Sequence, residues 1–267
     1  MENLKISLVQ TILHWENVDA NLKHFDEKIN SIIEQTDIIV LPEMFTTGFA
    51  VDRTTIAEEQ GGKGLQWMIA KSKEKNAAIT GSIAVKENGN LVNRLYWVEP
   101  SGKVLHYDKR HLFRMAGENN HFKAGQEKII INYKGWKICP LVCYDLRFPV
   151  WSRNKWKMIG GEMQAEYDIL LYVANWPEVR SYPWKQLLIA RAIENQSFVI
   201  GVNRIGKDGN DFAHSGDSAV INPRGELLTK LAAHEDAIET AEIKVDYLKE
   251  FRKVFPVGLD TDNFDLK

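Results

Sequence analysis

The chain has 267 residues, 44% of them hydrophobic and 26% charged, the composition of a globular fold long enough to bury roughly three quarters of its unfolded surface. Its 34 basic and 36 acidic side chains nearly cancel, leaving −2, so it lacks the basic surplus of a nucleic-acid-binding surface. No run approaches the ~18 apolar residues of a membrane span, and the opening M-E-N-L-K-I-S-L-V-Q does not read as a signal peptide.

Residues 5–10 read as a short buried strand. Residues 17–35 read as a helix, because Val18, Leu22, Phe25, Ile29, Ile32 and Ile33 recur at helical spacing. The apolar run D-I-I-V-L at 37–41 is a second strand, ended by Pro42. Strand, helix, strand is a βαβ unit, and runs apolar on both faces indicate a covered sheet. A helix is expected at 64–76, strands at 77–85 and 92–98, and a further strand after the Pro100-Ser101-Gly102 turn. Residues 109–128 form the least regular stretch, and loops of that length inside compact domains usually carry function. A strand follows at 136–142, a helical stretch after Pro149, and another strand at 168–174. Ser181 is placed to cap a helix with Pro183 in its first turn, running to about Asn195. Strands at 198–202, 219–222 and 237–243 complete the reading, with a polar loop at 204–217. Strands interleaved with helices and no low-complexity linker predict one α/β domain over 1–267.

Only Cys139 and Cys143 are available for thiol chemistry. On a strand they lie on the same face about 13 Å apart, beyond the ~7 Å reach of a disulfide, and Pro140 between them argues against a helix. Two free thiols suit a reducing compartment, so a cytoplasmic protein is expected.

Ligands in α/β folds gather where strands run out. Three such ends carry chemistry: Glu43 just past Pro42, Lys109 directly after a strand, and Cys143 where strand gives way to loop. Cys143 reads either as a small buried hydrophobe or as a nucleophile. In the second reading the following N–H groups, starting with Tyr144, face an oxyanion or stabilise a thiolate. Cys139 has no such setting and reads as filling. Glu43 is expected to be half-buried, with a pKa raised toward the range of a general base. Lys109 offers a charge to a developing oxyanion. His106, His111, His121, His214 and His234 form no H-E-x-x-H pair, so no metal site is read. The G-x-S-x-G, Walker and G-x-G-x-x-G patterns are missing as well. Trp176, in A-N-W-P after an apolar strand, is expected by the site, and Trp151, Trp156 and Trp184 in the core or at interfaces.

The segments L-P-E-M-F-T-T-G-F around Glu43, D-K-R-H-L-F around Lys109 and L-V-C-Y-D-L-R-F-P around Cys143 resemble the three signature segments of the nitrilase superfamily of carbon–nitrogen hydrolases. The resemblance covers nearly the whole chain, including A-N-W-P at Ala174 and the R-A-I-E-N-Q run from Arg191. It implies a four-layer α-β-β-α sandwich and a catalytic Glu43–Lys109–Cys143 triad. It also implies an additional glutamate at Glu118, with Glu127 the weaker alternative, and a homodimer. C-Y-D-L-R-F resembles amidase branches more than true nitrilases, and the likeness extends furthest to bacterial omega-amidases. These hydrolyse the terminal amide of 2-oxoglutaramate or 2-oxosuccinamate without a cofactor, disposing of products of glutamine or asparagine transamination, for instance in methionine salvage. The substrate is then a small-molecule amide. Arg147, four residues past the nucleophile, is the candidate cation for its far carboxylate, the Tyr144 backbone N–H an oxyanion donor, and Trp176 and Phe45 apolar walls. Another aliphatic or N-carbamoyl amidase is the alternative within the family, and a catalytically silent scaffold the alternative outside it. Residues 155–164 look like an insertion relative to near relatives.

Overall fold

The computed structural model describes residues 2–52 and 54–262. The strand Leu4–Gln10 is buried almost throughout, since it pairs antiparallel with Ala237–Ile243 on one edge and parallel with Ile38–Val40 on the other. Ala78–Glu87, Asn90–Val98 and Val104–Asp108 extend this sheet, and the two-residue strand Glu58–Glu59 pairs with Ala78–Glu87 beyond the end of Ile38–Val40. The pleat sends alternate residues to opposite faces. Ile6, Leu8, Ile38 and Val40 turn toward the second sheet, while Val9, Ile39, Leu41 and Ile79 meet Leu22, Phe25 and Ile29 of helix Val18–Asn30 and Met68 of helix Lys63–Lys75.

The second sheet runs in the order Ala219–Ile221, Phe198–Asn203, Ile169–Ala174, Trp136–Val142, Ile131–Tyr133, with its three central strands parallel. Helix Ser181–Asn195 lays Trp184, Leu188 and Ala192 on its outer face. Gly201 permits that approach: a Cβ there would stand 2.6 Å from Leu188 Cδ1 and 3.0 Å from Trp184. Helix Val245–Val254 adds Val245 and Leu248 to the same cluster. The result is the four-layer α-β-β-α sandwich expected from the sequence. Among the described residues no helix is long and apolar enough to cross a membrane.

Several boundaries differ from the sequence reading for local reasons. The first helix stops at Asn30, so Ile33 falls beyond it and is 98% exposed. Ser181 is the first helical residue rather than the cap; Arg180 precedes the helix as its cap, without a side-chain capping bond. The irregular stretch 109–128 contains a short 3₁₀ turn, Arg114–Ala116, and the four-residue helix Glu118–His121. Residues 155–164 are mainly a β-hairpin, Trp156–Ile159 against Glu162–Ala165. Gly160 and Gly161 both hold positive φ, which a two-residue turn between such strands requires. The loop 204–217 likewise contains a short hairpin, Ile205–Lys207 against Ala213–Ser215.

Pro140 sits inside the strand Trp136–Val142 without breaking it. Ile131–Tyr133 covers that edge only as far as Ile138. The N–H of Val142, two residues on and on the same edge as the proline nitrogen, donates to Asp145 at 3.0 Å instead of to a strand. The proline therefore faces the open side of the sheet, where no ladder bond is forfeited. The same open edge lets the chain leave the sheet at Cys143.

Candidate active site

Glu43, Lys109 and Cys143 come together at one end of the two sheets. Glu43 follows Ile38–Val40, Lys109 follows Val104–Asp108 and Cys143 follows Trp136–Val142, so each leaves the carboxyl end of its strand, as the strand-end argument anticipates. Glu43 and Lys109 are fully buried, Glu43 more deeply than the half-burial expected of it, and Cys143 is 8% exposed.

Lys109 Nζ donates to Glu43 Oε1 at 2.9 Å and to Glu118 at 2.9 and 3.1 Å. Asn93 Nδ2 bridges the same two carboxylates at 2.9 and 3.2 Å. The backbone N–H of Asn175 donates to Glu43 Oε2 at 2.8 Å, and the Asn175 side chain binds the Glu43 carbonyl. Glu118 also accepts from the Phe113 N–H at 2.6 Å. Two carboxylates and one ammonium thus share a dry site in which the charged groups are held by several donors, the condition under which buried charge is tolerated. Burial opposes the Lys109 charge, yet Glu118 and Glu43 raise its pKa above the ordinary lysine value. Burial raises the Glu118 carboxyl, Lys109 lowers it and Glu43 raises it again, with a net upward shift. The sequence offered Glu118 and Glu127 for this place, and the structure seats Glu118 there. Glu127 is exposed and lines a separate cleft with Glu87, His106 and Asp108.

Cys143 opens the 3₁₀ turn Cys143–Arg147 with φ +44°, a left-handed conformation that an L side chain adopts at some cost. Asp145 secures the turn. It accepts from the Val142 N–H at 3.0 Å, from Tyr107 Oη at 2.8 Å, and from the His111 backbone N–H and ring at 2.9 and 2.8 Å. One buried carboxylate therefore ties the turn that opens at Cys143 to the residues on either side of Lys109. Burial pushes the Cys143 thiol well above its ordinary value; Glu43 adds to that shift and Lys109 opposes it. The resting site accordingly favours the thiol. Cys139, fully buried in the strand, is pushed up to about 12 by burial.

The thiol reaches a cavity of about 280 Å³ lined in part by Phe113, Tyr144, Arg147, Trp176 and Arg180. Arg147 lies over the Trp176 ring, 5.1 Å from its centroid, and the Tyr144 ring packs against Phe113 and Phe148 at 5.0 and 5.1 Å. Trp176 is held by Asn203, which accepts from its backbone N–H at 2.8 Å and donates to its carbonyl at 3.0 Å. Phe45, expected as an apolar wall, is elsewhere. It packs edge-on against Phe25 at 5.4 Å, inside the core between the first sheet and its helices. Phe45 follows Glu43 by two residues, but the left-handed turn at Met44 (φ +44°) breaks the strand alternation that would have put both on one face. Asn93, Asn175, Asp145 and Arg180 were not singled out from sequence; Asn175 had a signal in its place beside Trp176 at a strand end.

The sequence profile described as carbon-nitrogen hydrolase matches residues 5–253. The chain is 49% identical to omega-amidase YafV of Escherichia coli (strain K12) over 266 residues, covering 100% of both. It is 34% identical to a 2-oxoglutaramate amidase of Bacillus subtilis (strain 168) over 256 residues, covering 94% of this chain and 95% of that one. A CN-hydrolase superfamily protein of Xanthomonas campestris, whose crystal structure carries an arsenic adduct in the active site, superposes with a TM-score of 0.96 at 41% identity, covering 100% of each chain. By its sequence and its fold, the chain belongs to the carbon–nitrogen hydrolase family.

Proposed function

We propose that the protein is an omega-amidase, hydrolysing the terminal amide of 2-oxoglutaramate or 2-oxosuccinamate to the 2-oxo dicarboxylic acid and ammonia. One observation carries the reading: the buried Glu43–Lys109–Glu118 cluster stands beside the Cys143 thiol, at a cavity bordered by the Arg147 guanidinium. The similarity to omega-amidase YafV and to the 2-oxoglutaramate amidase supports it.

The proposed reaction runs in two halves. Glu43 takes the Cys143 proton as sulfur attacks the amide carbon, and the oxyanion is met by Lys109 and the Tyr144 backbone N–H. Glu43 passes that proton to the amide nitrogen, the C–N bond breaks, ammonia leaves and a thioester remains. Glu43 then takes a proton from water while the hydroxide attacks the thioester. The C–S bond breaks, the acid departs and sulfur recovers its proton. Glu118 keeps Lys109 in place and charged. Arg147 pairs with the far carboxylate, and Trp176 gives that end of the cavity an apolar wall. No cofactor enters any step.

Ammonia release across 2-oxoglutaramate, glutaramate, an N-carbamoyl amino acid and a nitrile tests the reading, with 2-oxoglutaramate expected to be fastest. No ammonia from either dicarboxylic monoamide would overturn it in favour of another amidase. Intact-mass detection of an acyl adduct, lost in Cys143→Ala and kept in Cys139→Ala, separates an enzyme from a silent scaffold. The same proposal takes residues 1–267 as one domain, supported by a core cluster that draws on both sheets. It also takes the protein as a cytoplasmic homodimer. Two free cysteines support the location, and the exposed Tyr182 and Ile193 on helix Ser181–Asn195 give a second copy an apolar surface; light scattering at the mass of a monomer would remove the dimer.

A further inference from the structure

Three arginines elsewhere in this fold meet a carboxylate, while the fully buried Arg204 donates to the backbone carbonyls of Ile205 and Lys207. Arg94 pairs with Glu87 and Asp108 at 2.8 and 2.7 Å, Arg191 with Glu194 at 2.9 Å and Arg252 with Asp168 at 2.6 Å. The two arginines at the Cys143 cavity, Arg147 exposed and Arg180 partly so, do neither. Arg147 rests on Trp176, and Arg180 rests on Phe113 with its guanidinium carbon 5.4 Å from the ring centroid. Among the described residues, neither guanidinium pairs with a carboxylate or donates a hydrogen bond, and both line the one cavity that contains the thiol.

Arg180 is also fixed in place. It ends the turn Glu178–Arg180 and caps helix Ser181–Asn195, and its carbonyl accepts the Trp176 indole N–H at 2.7 Å. Trp176, on which Arg147 lies, is thereby tied to the backbone of Arg180. The two cations approach the cavity from one braced segment and from the nucleophile turn, each stacked on an aromatic face that orients its planar fork.

A single guanidinium is enough to pair with one carboxylate. Two like charges bordering one cavity with no internal partner repel each other until a ligand brings negative charge or oxygen acceptors to both. We infer that Arg180 is a specificity-determining residue that, with Arg147, selects amides whose far end is a 2-oxo carboxylate and rejects those whose far end is a 2-amino carboxylate. The inference rests on the omega-amidase reading and deepens it. A 2-oxo acid presents a carboxylate and an adjacent carbonyl oxygen, three acceptors in all, to two donor forks. A 2-amino acid such as L-glutamine carries the same terminal amide, yet sets an ammonium where the carbonyl oxygen would be. That ammonium offers no acceptor to the second fork and adds a third positive charge to the pair. Selection against the abundant amino acid thus comes from repulsion as well as from fit.

The test is kcat/KM for ammonia release from 2-oxoglutaramate, glutaramate and L-glutamine, in the full chain and in Arg180→Met, Arg180→Lys and Arg147→Met. In Arg180→Met, kcat/KM for 2-oxoglutaramate is expected to fall about 10²-fold, mostly through KM, as for loss of a charged fork at a built site. The ratio of 2-oxoglutaramate to L-glutamine is expected to contract at least about tenfold in the same variant. Arg180→Lys, which keeps the charge and loses the fork, retains discrimination against L-glutamine while binding the 2-oxo acid more weakly. Calorimetric binding of 2-oxoglutarate and glutarate to Cys143→Ala, with and without Arg180→Met, gives a readout independent of turnover; the 2-oxo acid is expected to lose the larger factor. An equal fall for all three amides, or an unchanged ratio in folded Arg180→Met, would reduce Arg180 to a structural cap and overturn the inference. If Arg180→Met does not fold, Arg180→Gln decides on the same ratio. Wild-type protein that releases no ammonia from either dicarboxylic monoamide fails the omega-amidase reading itself; wild-type activity with an unmoved ratio fails only the role of Arg180.

Discussion

At the floor of the site Lys109, Glu43 and Glu118 are fully buried and answer one another's charge, whereas at its rim Arg147 and Arg180 are accessible to solvent and, among the described residues, answer to no carboxylate. The difference follows from dielectric. A charge withdrawn from water needs its partners built in, because leaving it alone costs several kcal/mol. A charge left near water can wait for a partner that arrives with the substrate. The floor is therefore complete before binding and suited to chemistry common to all amides, while the rim is incomplete and suited to choosing among them.

The sharpest way to break this division is Glu43→Gln. Loss of the proposed base is expected to lower kcat by roughly 10²–10⁴ for every amide tested, with little change in the order of preference among them. The same substitution removes a charge that raises the Cys143 pKa. The sign is therefore opposite for the thiol itself: its apparent pKa, read from the pH dependence of iodoacetamide alkylation, moves down in Glu43→Gln. In the wild type alkylation stays slow at neutral pH and climbs into the alkaline range. A wild-type alkylation profile with a midpoint near neutrality would contradict the resting thiol.

Lys109→Met comes next. Loss of one oxyanion donor costs about 10²–10³ in rate, and two buried carboxyl groups are left facing each other. Burial raises the Glu118 carboxyl and Lys109 is what lowers it, so without the lysine its pKa stands higher folded than unfolded. The folded state then binds more protons, and stability falls as pH rises above the unfolded carboxyl value. The variant should lose about 3–5 kcal/mol at neutral pH and recover part of it on mild acidification, read as melting temperature against pH. A variant as stable at pH 8 as at pH 5 would show that the lysine is not what compensates the floor.

The floor was also the part of the site most legible in the sequence, for the same physical reason. Glu43 and Cys143 each follow an apolar run and Lys109 follows a strand, and a reactive side chain at the end of a strand is marked by the contrast itself. The layered fold was legible from the alternation of strands and helices. What the sequence hid was set by contacts between distant segments or by single dihedral angles. Asn93 and Asn175 reach Glu43 from 50 and 132 residues away. The positive φ at Met44 sends Phe45 into the helix-facing core, against the expectation that it walls the cavity. Arg180 looked like any arginine before a helix. A cation becomes conspicuous only where its surroundings withhold a partner, and that is a property of the folded chain.

At the rim, Arg147→Met is expected to raise KM for 2-oxoglutaramate by roughly 10–10²-fold with a much smaller change in kcat, since a contact kept from ground state to transition state affects binding more than turnover. A neutral aliphatic amide should show no such rise. If instead kcat fell equally on charged and neutral amides, Arg147 would be supporting the Cys143–Arg147 turn, and the division between floor and rim would lose one of its two examples.

The smallest effect is expected outside both regions, at Glu127→Gln. Glu127 shares the loop that follows Lys109 and has the right side chain for the additional glutamate, so sequence separation alone does not exclude it. Its exposure does. A carboxylate in water is already solvated and has no buried cation to hold, and substitutions at such positions usually stay within about 0.5 kcal/mol. Glu118→Gln, by contrast, takes a charge from a dry cluster in which Lys109, Asn93 and the Phe113 N–H all donate to it. The pair of variants, one carboxylate at a time and assayed on the same amide, isolates burial as the variable. Equal activity in the two would mean that the Lys109 ammonium needs only one of its two carboxylates, and that the compensation of the floor is carried by Glu43.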